Sequence, residues 1–256
     1  MKILITNDDG ISSAGLKALL APLKEAGHEI VVVAPTYENS AASHAITVHD
    51  PIFVSEYDDF DDYDIKAWSV TGRPADCVKI ALEVFLKDDL PDFVVSGINR
   101  GPNMGLDTVY SGTVSAALEA STHGIPAMAV SLDSRSRKAD YTVAAEYAVK
   151  IVEKYSDFEL PNTSMINLNV PAVEKSLIKG IKATGLGNVA YDNAFLPRQD
   201  LQGRTYYWLG GEILENPGHN PNLDVDAVSD NWVTITPLTY DLTDRESLKR
   251  IKQINF

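Results

Sequence analysis

Two adjacent carboxylates, Asp8 and Asp9, follow the first hydrophobic run of the chain, in the sequence MKILITNDDG. The run at residues 2–6 predicts a short buried strand that ends where the carboxylates begin. Neighbouring carboxylates repel each other unless a positive charge lies between them, and a hard divalent cation prefers carboxylate oxygen. In open α/β sheets, ligands also bind at the carboxyl ends of the strands. The pair therefore predicts a Mg²⁺ or Mn²⁺ site, although Asn-Asp-Asp-Gly is equally suited to a turn that caps a helix.

A second polar segment, TYENSAASH at residues 36–44, follows the strand predicted at residues 29–34. Small hydroxyl residues at a strand end can reach a cation or a phosphate, which makes Ser40 and Ser43 candidates. Capping of a following helix explains the same hydroxyls equally well. A single histidine beside Ala-Ile-Thr, as at His44, is more often a packed residue than a ligand.

A third polar segment, SGINRGPNMG at residues 96–105, follows another predicted strand and contains three glycines spaced four residues apart. Glycine at this density lets the backbone adopt left-handed conformations and approach a ligand closely. Within it, Asn99 could offer an amide oxygen to a hard cation, and Asn103 could donate to a phosphate oxygen. The segment is neither a dinucleotide-binding fingerprint, whose glycine spacing differs, nor a Walker loop, which requires Gly-Lys-Ser/Thr.

A fourth segment, YSGTVSAA at residues 110–117, opens an alanine-rich helix. Helix N-termini present free N–H groups and a positive dipole end, which suits a phosphate. Ordinary N-capping by Ser111 or Thr113 is the alternative, but it does not explain a Ser-Gly-Thr cluster so soon after a glycine-rich loop. Together the four segments describe a cation site beside an anion site, which is typical of phosphoryl transfer or phosphate-ester hydrolysis.

The charge balance limits the partners. The 256 residues include 36 Asp and Glu against 22 Lys and Arg, a formal net charge of −14 at pH 7. A nucleic-acid polymer or an anionic membrane requires basic patches, so neither is an expected partner. A small phosphorylated substrate remains compatible, because a bound cation reverses the local sign of the charge.

Cysteine content and hydropathy favour a cytoplasmic protein. The one cysteine, Cys77, excludes an intrachain disulfide and a cysteine-based zinc site. No apolar run approaches the roughly 18 residues needed to span a bilayer. The first residues enter a strand without the pattern of a signal peptide.

Strand and helix patterns alternate over residues 1–180. Short strands that are apolar on both faces, alternating with amphipathic helices, predict an α/β fold with a doubly wound, mostly parallel sheet. The strands are predicted at residues 3–6, 29–34, 66–70, 92–96, 126–131 and 164–169, and the helices at residues 14–26, 74–86, 112–123 and 141–155. The acidic stretch of residues 56–64 lacks the ligand spacing of an EF-hand and is predicted to be a solvated loop.

The pattern changes after residue 180. Residues 204–214 predict a hairpin, residues 231–236 a strand ended by Pro237, and residues 242–251 a closing helix. We interpret residues 181–256 as an antiparallel C-terminal extension of the same domain that could contact another subunit. Aromatic residues in it could stack on a base, although interface cores are the more common place for them; they are Tyr191, Phe195, Tyr206, Tyr207 and Trp208.

Several motifs together resemble the SurE (survival protein E) family of metal-dependent nucleotidases. They are ILITNDDG at 3–10, Asn39-Ser40 with SHAIT at 43–47, TGRPADCV at 71–78, VSGINRGPNMG at 95–105, YSGTVSAALEA at 110–120, NLNVP at 167–171 and ITPL at 235–238. The resemblance covers nearly the whole chain in the order of the family. One departure is Ala41, where many members have glycine.

The resemblance implies a Rossmann-like core whose C-terminal extension exchanges between the subunits of a homo-oligomer, either a dimer or a tetramer. The substrate would be a nucleoside monophosphate, with a 5′ or a 3′ ester, hydrolysed to a nucleoside and inorganic phosphate. One divalent cation per subunit, Mg²⁺ or Mn²⁺, would be held by Asp8, Asp9, Ser40 and Asn99, of which Asp8 and Asp9 would also be catalytic. The phosphate would be bound by Asn103, Ser111, Gly112 and Thr113.

Three other functions are weighed against this one. A two-domain sugar-nucleotide glycosyltransferase needs a second complete α/β domain, and about 75 residues after residue 180 cannot supply one. A haloacid-dehalogenase-like phosphatase has aspartates that alternate around one residue, whereas these are adjacent. A non-catalytic protein that senses or sequesters phosphorylated metabolites stays open, because binding and hydrolysis could use the same residues.

Overall fold

The alternating pattern folds as a mixed sheet with helices on both faces. The computed structural model describes residues 1–188, 195–210 and 218–254. The strands are β1 (Lys2–Thr6), β2 (Glu29–Pro35), β3 (Val54–Glu56), β4 (Lys66–Val70), β5 (Phe93–Arg100), β6 (Ala127–Asp133), β7 (Ser164–Pro171), β8 (Ile181–Ala183), β9 (Phe195–Gln199), β10 (Thr205–Leu209) and β11 (Val233–Thr239). The helices are α1 (Ala14–Glu25), α2 (Pro74–Ile80), α3 (Gly112–Thr122), α4 (Thr142–Lys154), α5 (Asp224–Ser229) and α6 (Arg245–Ile251).

The strand order places a switch point between β1 and β5. Across the main sheet of the described residues the order is β3-β4-β2-β1-β5-β6-β7-β11-β8. The strands from β4 to β7 are parallel, whereas β3 and β11 run antiparallel to β4 and β7. β2 and β4 lie on one side of β1, and β5, β6 and β7 lie on the other. Doubly wound sheets bind ligands at the carboxyl ends of the strands at such a point.

Both faces of the central strands are buried. In β1, Ile3 and Ile5 belong to a core cluster that includes residues of α1 and α4, while Leu4 belongs to a second cluster with residues of α2 and α3. This two-sided burial is the reason that the strands are continuous apolar runs in the sequence. The predicted α/β fold, with its mostly parallel doubly wound sheet, is therefore confirmed.

The C-terminal part differs from the prediction in two details. Pro237 does not end a strand, because β11 continues through it; β8 pairs with only the first part of β11, so one side of the strand is open at the proline. Residues 205–209 form one strand of a hairpin as predicted, but the partner in the described part is β9, with antiparallel pairing. Residues 211–214 of the predicted hairpin, and Tyr191, lie outside the described residues.

In the acidic stretch, Asp58–Tyr63 is a short 3₁₀ turn instead of an open loop, and it buries Phe60 beneath the sheet edge.

In the part of the chain that the structure describes, no helix has the length and apolar character needed to cross a membrane.

The turn after β1 is held by Asn7 and leads directly into α1. The amide nitrogen of Asn7 donates to the carbonyl oxygen of Gly10 (3.0 Å) and to Ser13 Oγ (2.7 Å). Ser13 is the N-cap of α1 and accepts a hydrogen bond from the N–H of Leu16. Helix capping by the aspartates, the alternative for this segment, is therefore wrong, because Ser13 has that role.

Close packing of α1 on β5 depends on a glycine. A Cβ atom at Gly15 would lie 1.9 Å from the carbonyl oxygen of Ile98 and 3.3 Å from Tyr141 Cε1. Such a contact is impossible without movement, so only glycine lets α1 pack this tightly. The carbonyl of Ile98 immediately precedes Asn99, so this packing also fixes the end of β5.

We expect Gly15→Ala to lower the free energy of unfolding by about 1–3 kcal/mol, the usual range for overpacking. Urea unfolding followed by circular dichroism measures the change. Ala14→Ser is the matched control, because it also adds one atom to α1 but at an exposed position, where changes stay within about 0.5 kcal/mol. A Gly15→Ala variant as stable as the wild type would contradict the packing.

Candidate functional site

The carboxylate pair lies at the switch point, in two different environments. Asp8 is buried, at 5% exposure, and Asp9 is half-buried. The backbone oxygen of Asp8 accepts a hydrogen bond from the N–H of Asn39 (2.7 Å), and Asp9 Oδ2 accepts one from the N–H of Arg100 (3.2 Å). The end of β1 is thus joined to the segment after β2 on one side and to β5 on the other.

α3 begins directly against Asp8. The Thr113 hydroxyl donates to Asp8 Oδ1 (2.5 Å), and both side chains are buried. A Cβ atom at Gly112 would lie 2.9 Å from Asp8 Cβ and 3.0 Å from Asp8 Oδ2, so glycine is required for this approach. The residues predicted to hold a cation and those predicted to bind a phosphate are therefore in contact.

Burial raises the pKa of the Asp8 carboxyl to about 6. The hydroxyl and N–H of Thr113 lower it, and the charge of Asp9 raises it further. Burial also raises the pKa of Asp9, against the lowering effect of the N–H and guanidinium of Arg100. Burial thus disfavours the charged form of both carboxyl groups, and a bound cation would favour it.

Asn99 lies level with the carboxylates. β1 and β5 are paired up to Thr6 and Ser96, and the residue after Asn99, Arg100, donates its N–H to Asp9 Oδ2 (3.2 Å). The Asn99 amide nitrogen donates to the carbonyl oxygen of Gly101 (2.9 Å), which leaves Oδ1 as the atom able to bind a cation.

The segment of residues 36–47, here called the serine loop, is strained. Ala41 and Ser43 have φ angles of 55° and 51°, in the left-handed region. Each such residue costs about 1–2 kcal/mol, which explains physically why glycine suits position 41. Ser40 itself is exposed, and its hydroxyl donates to Glu38 Oε1 (2.7 Å). No helix begins in this segment, so helix capping by its hydroxyls is wrong.

Contacts with the residues just before α3 and with the middle of α3 hold the centre of the serine loop. Ser43 donates from its N–H to the carbonyl oxygen of Tyr110 (2.9 Å) and from its hydroxyl to that of Val109 (2.7 Å). His44 Nε2 lies 2.7 Å from Glu119 Oε2. His44 is therefore paired with a carboxylate, and Ser43 supports the loop.

Asn103 is buried in a network of polar side chains at the end of the sheet. Its N–H donates to Asn169 Oδ1 (2.9 Å), and its carbonyl oxygen accepts from the amides of Asn167 (2.7 Å) and Asn169 (3.1 Å). Its own amide nitrogen donates to Ser131 Oγ (2.8 Å) and carries a second hydrogen. Asn167 and Asn169 belong to the NLNVP motif, but the sequence alone did not connect them to Asn103.

A distant aspartate supports the same glycine-rich segment. Asp224 of α5 is fully buried and accepts hydrogen bonds from the N–H groups of Gly105 (3.0 Å), Gly187 (2.6 Å) and Val225 (2.9 Å). Burial raises the pKa of its carboxyl, against these hydrogen bonds. Sequence reasoning missed Asp224, because nothing in a short acidic segment 119 residues away points to Gly105.

Ser111 caps α3, as the alternative for the fourth segment stated. Its Oγ accepts a hydrogen bond from the N–H of Val114 (3.1 Å), and its carbonyl oxygen accepts one from the hydroxyl of Ser115 (2.7 Å). A serine hydroxyl that accepts through a lone pair still has its own hydrogen to donate. Capping and phosphate binding are therefore compatible roles for Ser111.

The predicted ligands suit a hard cation by their chemistry. All of them are oxygen donors, namely two carboxylates, one hydroxyl and one amide, as Mg²⁺ and Mn²⁺ prefer. Among the described residues, no three His, Cys, Asp or Glu side chains form a group that could hold a metal ion. Asp8 is in direct contact with Thr113. Ser40 and Asn99 lie near the carboxylates because each is next in sequence to a residue whose N–H hydrogen-bonds there, Asn39 to Asp8 and Arg100 to Asp9.

Two surface cavities lie away from this cluster. They have volumes of about 580 and 430 Å³ and are lined by residues of β3, β4 and the segments that follow β3 and α2, including the stacked rings of Trp68 and Phe85. No predicted site residue lines either cavity. The chemistry of the switch point, rather than the size of a cavity, identifies the candidate site.

We expect Gly112→Ala to weaken Mn²⁺ binding at least about tenfold, because the new Cβ must displace Asp8. Isothermal titration calorimetry measures this, and a tenfold change equals about 1.4 kcal/mol. Alanine favours helix more than glycine does, so a loss cannot come from the propensity of α3. Thr122→Ala, at an exposed position of α3, is the control. Unchanged affinity in Gly112→Ala would contradict the importance of the contact.

The chain is similar to known proteins over its whole length. The family model described as "Survival protein SurE" matches residues 3–193. A protein of Alkaliphilus metalliredigens named "5'-nucleotidase SurE" is 46% identical, with 100% of this chain and 99% of that protein covered. A protein of the same name from Trichormus variabilis is 44% identical, with the same shares covered.

A solved structure is also similar. The crystal structure of the SurE protein from Aquifex aeolicus superposes with a TM-score of 0.84 at 37% sequence identity, covering 98% of both chains. The resemblance carried by the motifs is thereby confirmed, and the chain belongs to the SurE family.

Proposed function

We propose that the chain is a divalent-metal-dependent nucleotidase, which hydrolyses nucleoside 5′- or 3′-monophosphates to nucleosides and inorganic phosphate. The observation that carries the proposal is the hydrogen bond from Thr113 to Asp8, which brings a carboxylate pair against the N-terminus of α3. A cation site and an anion site are then neighbours, as phosphate-ester hydrolysis requires. The printed names of the relatives support a 5′ ester in particular.

Oxygen atoms of this chain would hold one Mg²⁺ or Mn²⁺ per subunit. When bound, the cation would neutralise charge on a non-bridging phosphate oxygen and lower the pKa of a bound water. The proposed ligands are Asp8, Asp9, Ser40 and Asn99. The raised pKa values of the two carboxyl groups support this role, because a neighbouring positive charge would stabilise both in the ionised form.

The start of α3 would bind and orient the phosphate. The first N–H groups of the helix, at Gly112 and Thr113, lie at its positive dipole end and would stabilise charge that develops on the phosphoryl oxygens. The Ser111 hydroxyl and the second amide hydrogen of Asn103 would donate to the same group. Asp8 or Asp9, whichever keeps a free oxygen, would accept the proton of the attacking water.

We expect Asp8→Asn and Asp9→Asn each to lower the rate of phosphate release by at least about 100-fold, because a general base usually contributes that much to the rate. The measurement is phosphate release from a panel of nucleoside 5′- and 3′-monophosphates, with and without Mn²⁺ or Mg²⁺. The panel also reveals base and ester preference.

Asp88→Asn is the matched control, because Asp88 is exposed and belongs to none of the four segments. Full turnover in both aspartate variants at saturating metal would contradict their proposed roles. No release from any substrate despite tight metal binding would instead support the non-catalytic binding protein.

We further propose a homo-oligomer, a dimer or a tetramer, in which the C-terminal extension is exchanged between subunits. The β9–β10 hairpin supports this proposal, because its strands pair only with each other among the described residues. Its large apolar side chains are between 42% and 72% exposed, and apolar surface of this kind commonly marks an interface. They are Phe195, Leu196, Tyr206, Tyr207, Trp208 and Leu209.

We expect the double variant Tyr207→Ser/Trp208→Ser to shift the protein from an oligomer to a monomer, since interface aromatics dominate the binding energy. Size-exclusion chromatography with light scattering measures the mass in solution. Tyr240→Ser removes an exposed aromatic outside the hairpin and should leave the mass unchanged. A wild-type monomer, or an oligomer that survives the double change, would refute the role of the hairpin.

A further inference from the structure

A buried carboxylate on α2 faces the far end of the serine loop. Asp76 is 4% exposed. Its Oδ2 accepts from the Thr47 hydroxyl (2.7 Å) and from the Arg73 N–H (2.8 Å), and the Thr47 N–H lies 3.1 Å from both oxygens. Gly72 makes room for it, since a Cβ there would lie 2.8 Å from Asp76 Cβ. Most of its hydrogen bonds therefore serve a residue 29 positions away in the chain.

Helix capping alone does not explain this arrangement. Asp76 lies in the first turn of α2, where the N–H of Arg73 would satisfy an ordinary capping carboxylate. Two donors of Thr47, its N–H and its hydroxyl, hydrogen-bond to the same carboxylate. A buried carboxylate is stable only when such donors satisfy it, so the side chain of Asp76 and the backbone of Thr47 fix each other.

The near end of the serine loop is held by the same helix start. The guanidinium of Arg73 donates to Asn39 Oδ1 (3.1 Å), and the N–H of Asn39 donates to the backbone oxygen of Asp8 (2.7 Å). Arg73 and Asp76 thus contact the loop on either side of Ser40. The two left-handed residues, Ala41 and Ser43, lie between these contacts, and strain of this kind persists only where the surroundings impose it.

We infer that Asp76 is a positioning residue that, through Thr47, holds the serine loop in the conformation that presents Ser40 to the carboxylate pair. The inference rests on the proposed metal site. Asp76 itself touches neither substrate nor cation; it acts through the loop. The centre of the loop has two other side-chain contacts, Ser43 with Val109 and His44 with Glu119. The second is less specific, because Glu119 also lies near Lys79 and His123.

The test uses the full-length protein and measures Mn²⁺ binding by calorimetry together with the melting temperature. Thr47→Val removes the hydroxyl donor without touching α2 or any proposed ligand, and it should weaken Mn²⁺ binding about five- to twentyfold. Thr47→Ser keeps the hydroxyl and should bind as the wild type does. Thr36→Val is the matched control at the start of the same loop, where the hydroxyl contacts Ser69 instead.

Asp76→Asn provides the second arm, because its amide replaces one acceptor oxygen by a donor. It should weaken Mn²⁺ binding at least as much as Thr47→Val, and the double variant should be no weaker than Asp76→Asn alone, as for two groups that act as one unit. Additive losses would overturn the inference, as would Mn²⁺ affinity in Thr47→Val within twofold of the wild type. A lower melting temperature with unchanged affinity would also overturn it, since that result describes a purely structural contact.

The wild type distinguishes this inference from the proposed function. If the wild type binds Mn²⁺ and the variants bind equally well, the role of Asp76 is refuted and the metal site stands. If the wild type binds neither Mn²⁺ nor Mg²⁺, the proposed metal site fails, and the inference fails with it.

Discussion

The burial of Asp8 is the constraint around which the candidate site is arranged. A carboxylate that is withdrawn from water must be satisfied by donors or by a cation, because its ionised form is otherwise strongly disfavoured. The first turn of α3 packs against this carboxylate. The Thr113 hydroxyl donates a hydrogen bond to it, and Gly112, which has no side chain, leaves room for the contact. The position of α3, and with it the proposed phosphate site, follows from that contact.

Two further buried aspartates extend the same principle to the loops. Asp224 accepts hydrogen bonds from the N–H of Gly105 in the glycine-rich segment and from that of Gly187, and Asp76 accepts hydrogen bonds from Thr47 of the serine loop. In each case the carboxylate is on a helix, and it holds a residue of one of the polar segments that follow the strands. Functional loops require such support from a rigid scaffold if their side chains are to keep a defined position.

Local patterns in the sequence predicted the sheet and the position of the carboxylate pair. Strands buried on both faces are recognisable as apolar runs, and Asp8 and Asp9 follow the first of them directly. The helix predicted from residue 14 places Ser13 at its N-cap position, but the sequence could not predict that Asn7 would donate to Ser13 and to the carbonyl oxygen of Gly10. It also could not predict the partners of Asp224, since contacts over more than a hundred residues leave no local signal.

The family motifs predicted more about the site than the strand and helix pattern did. They did not predict how the residues within the motifs contact each other. TGRPADCV was recognised as a motif, yet the sequence did not show that its aspartate faces Thr47. The extent of β11 beyond Pro237 was missed for a related reason. A proline is tolerated in a strand where one side is open, and the shortness of β8 is known only from the paired sheet.

The strand order has a consequence for the time at which the enzyme is completed during synthesis. β8 is attached to the sheet by its pairing with β11, in which Ile181 pairs with Val233, 52 residues later in the chain. Asp224, which holds Gly105, also emerges from the ribosome late. The predicted site residues, from Asp8 to Thr113, are therefore all synthesised well before Asp224 can fix the backbone near Asn103. Domains generally fold as units once their elements are present. Gly105 is thus synthesised 119 residues before the aspartate that holds it.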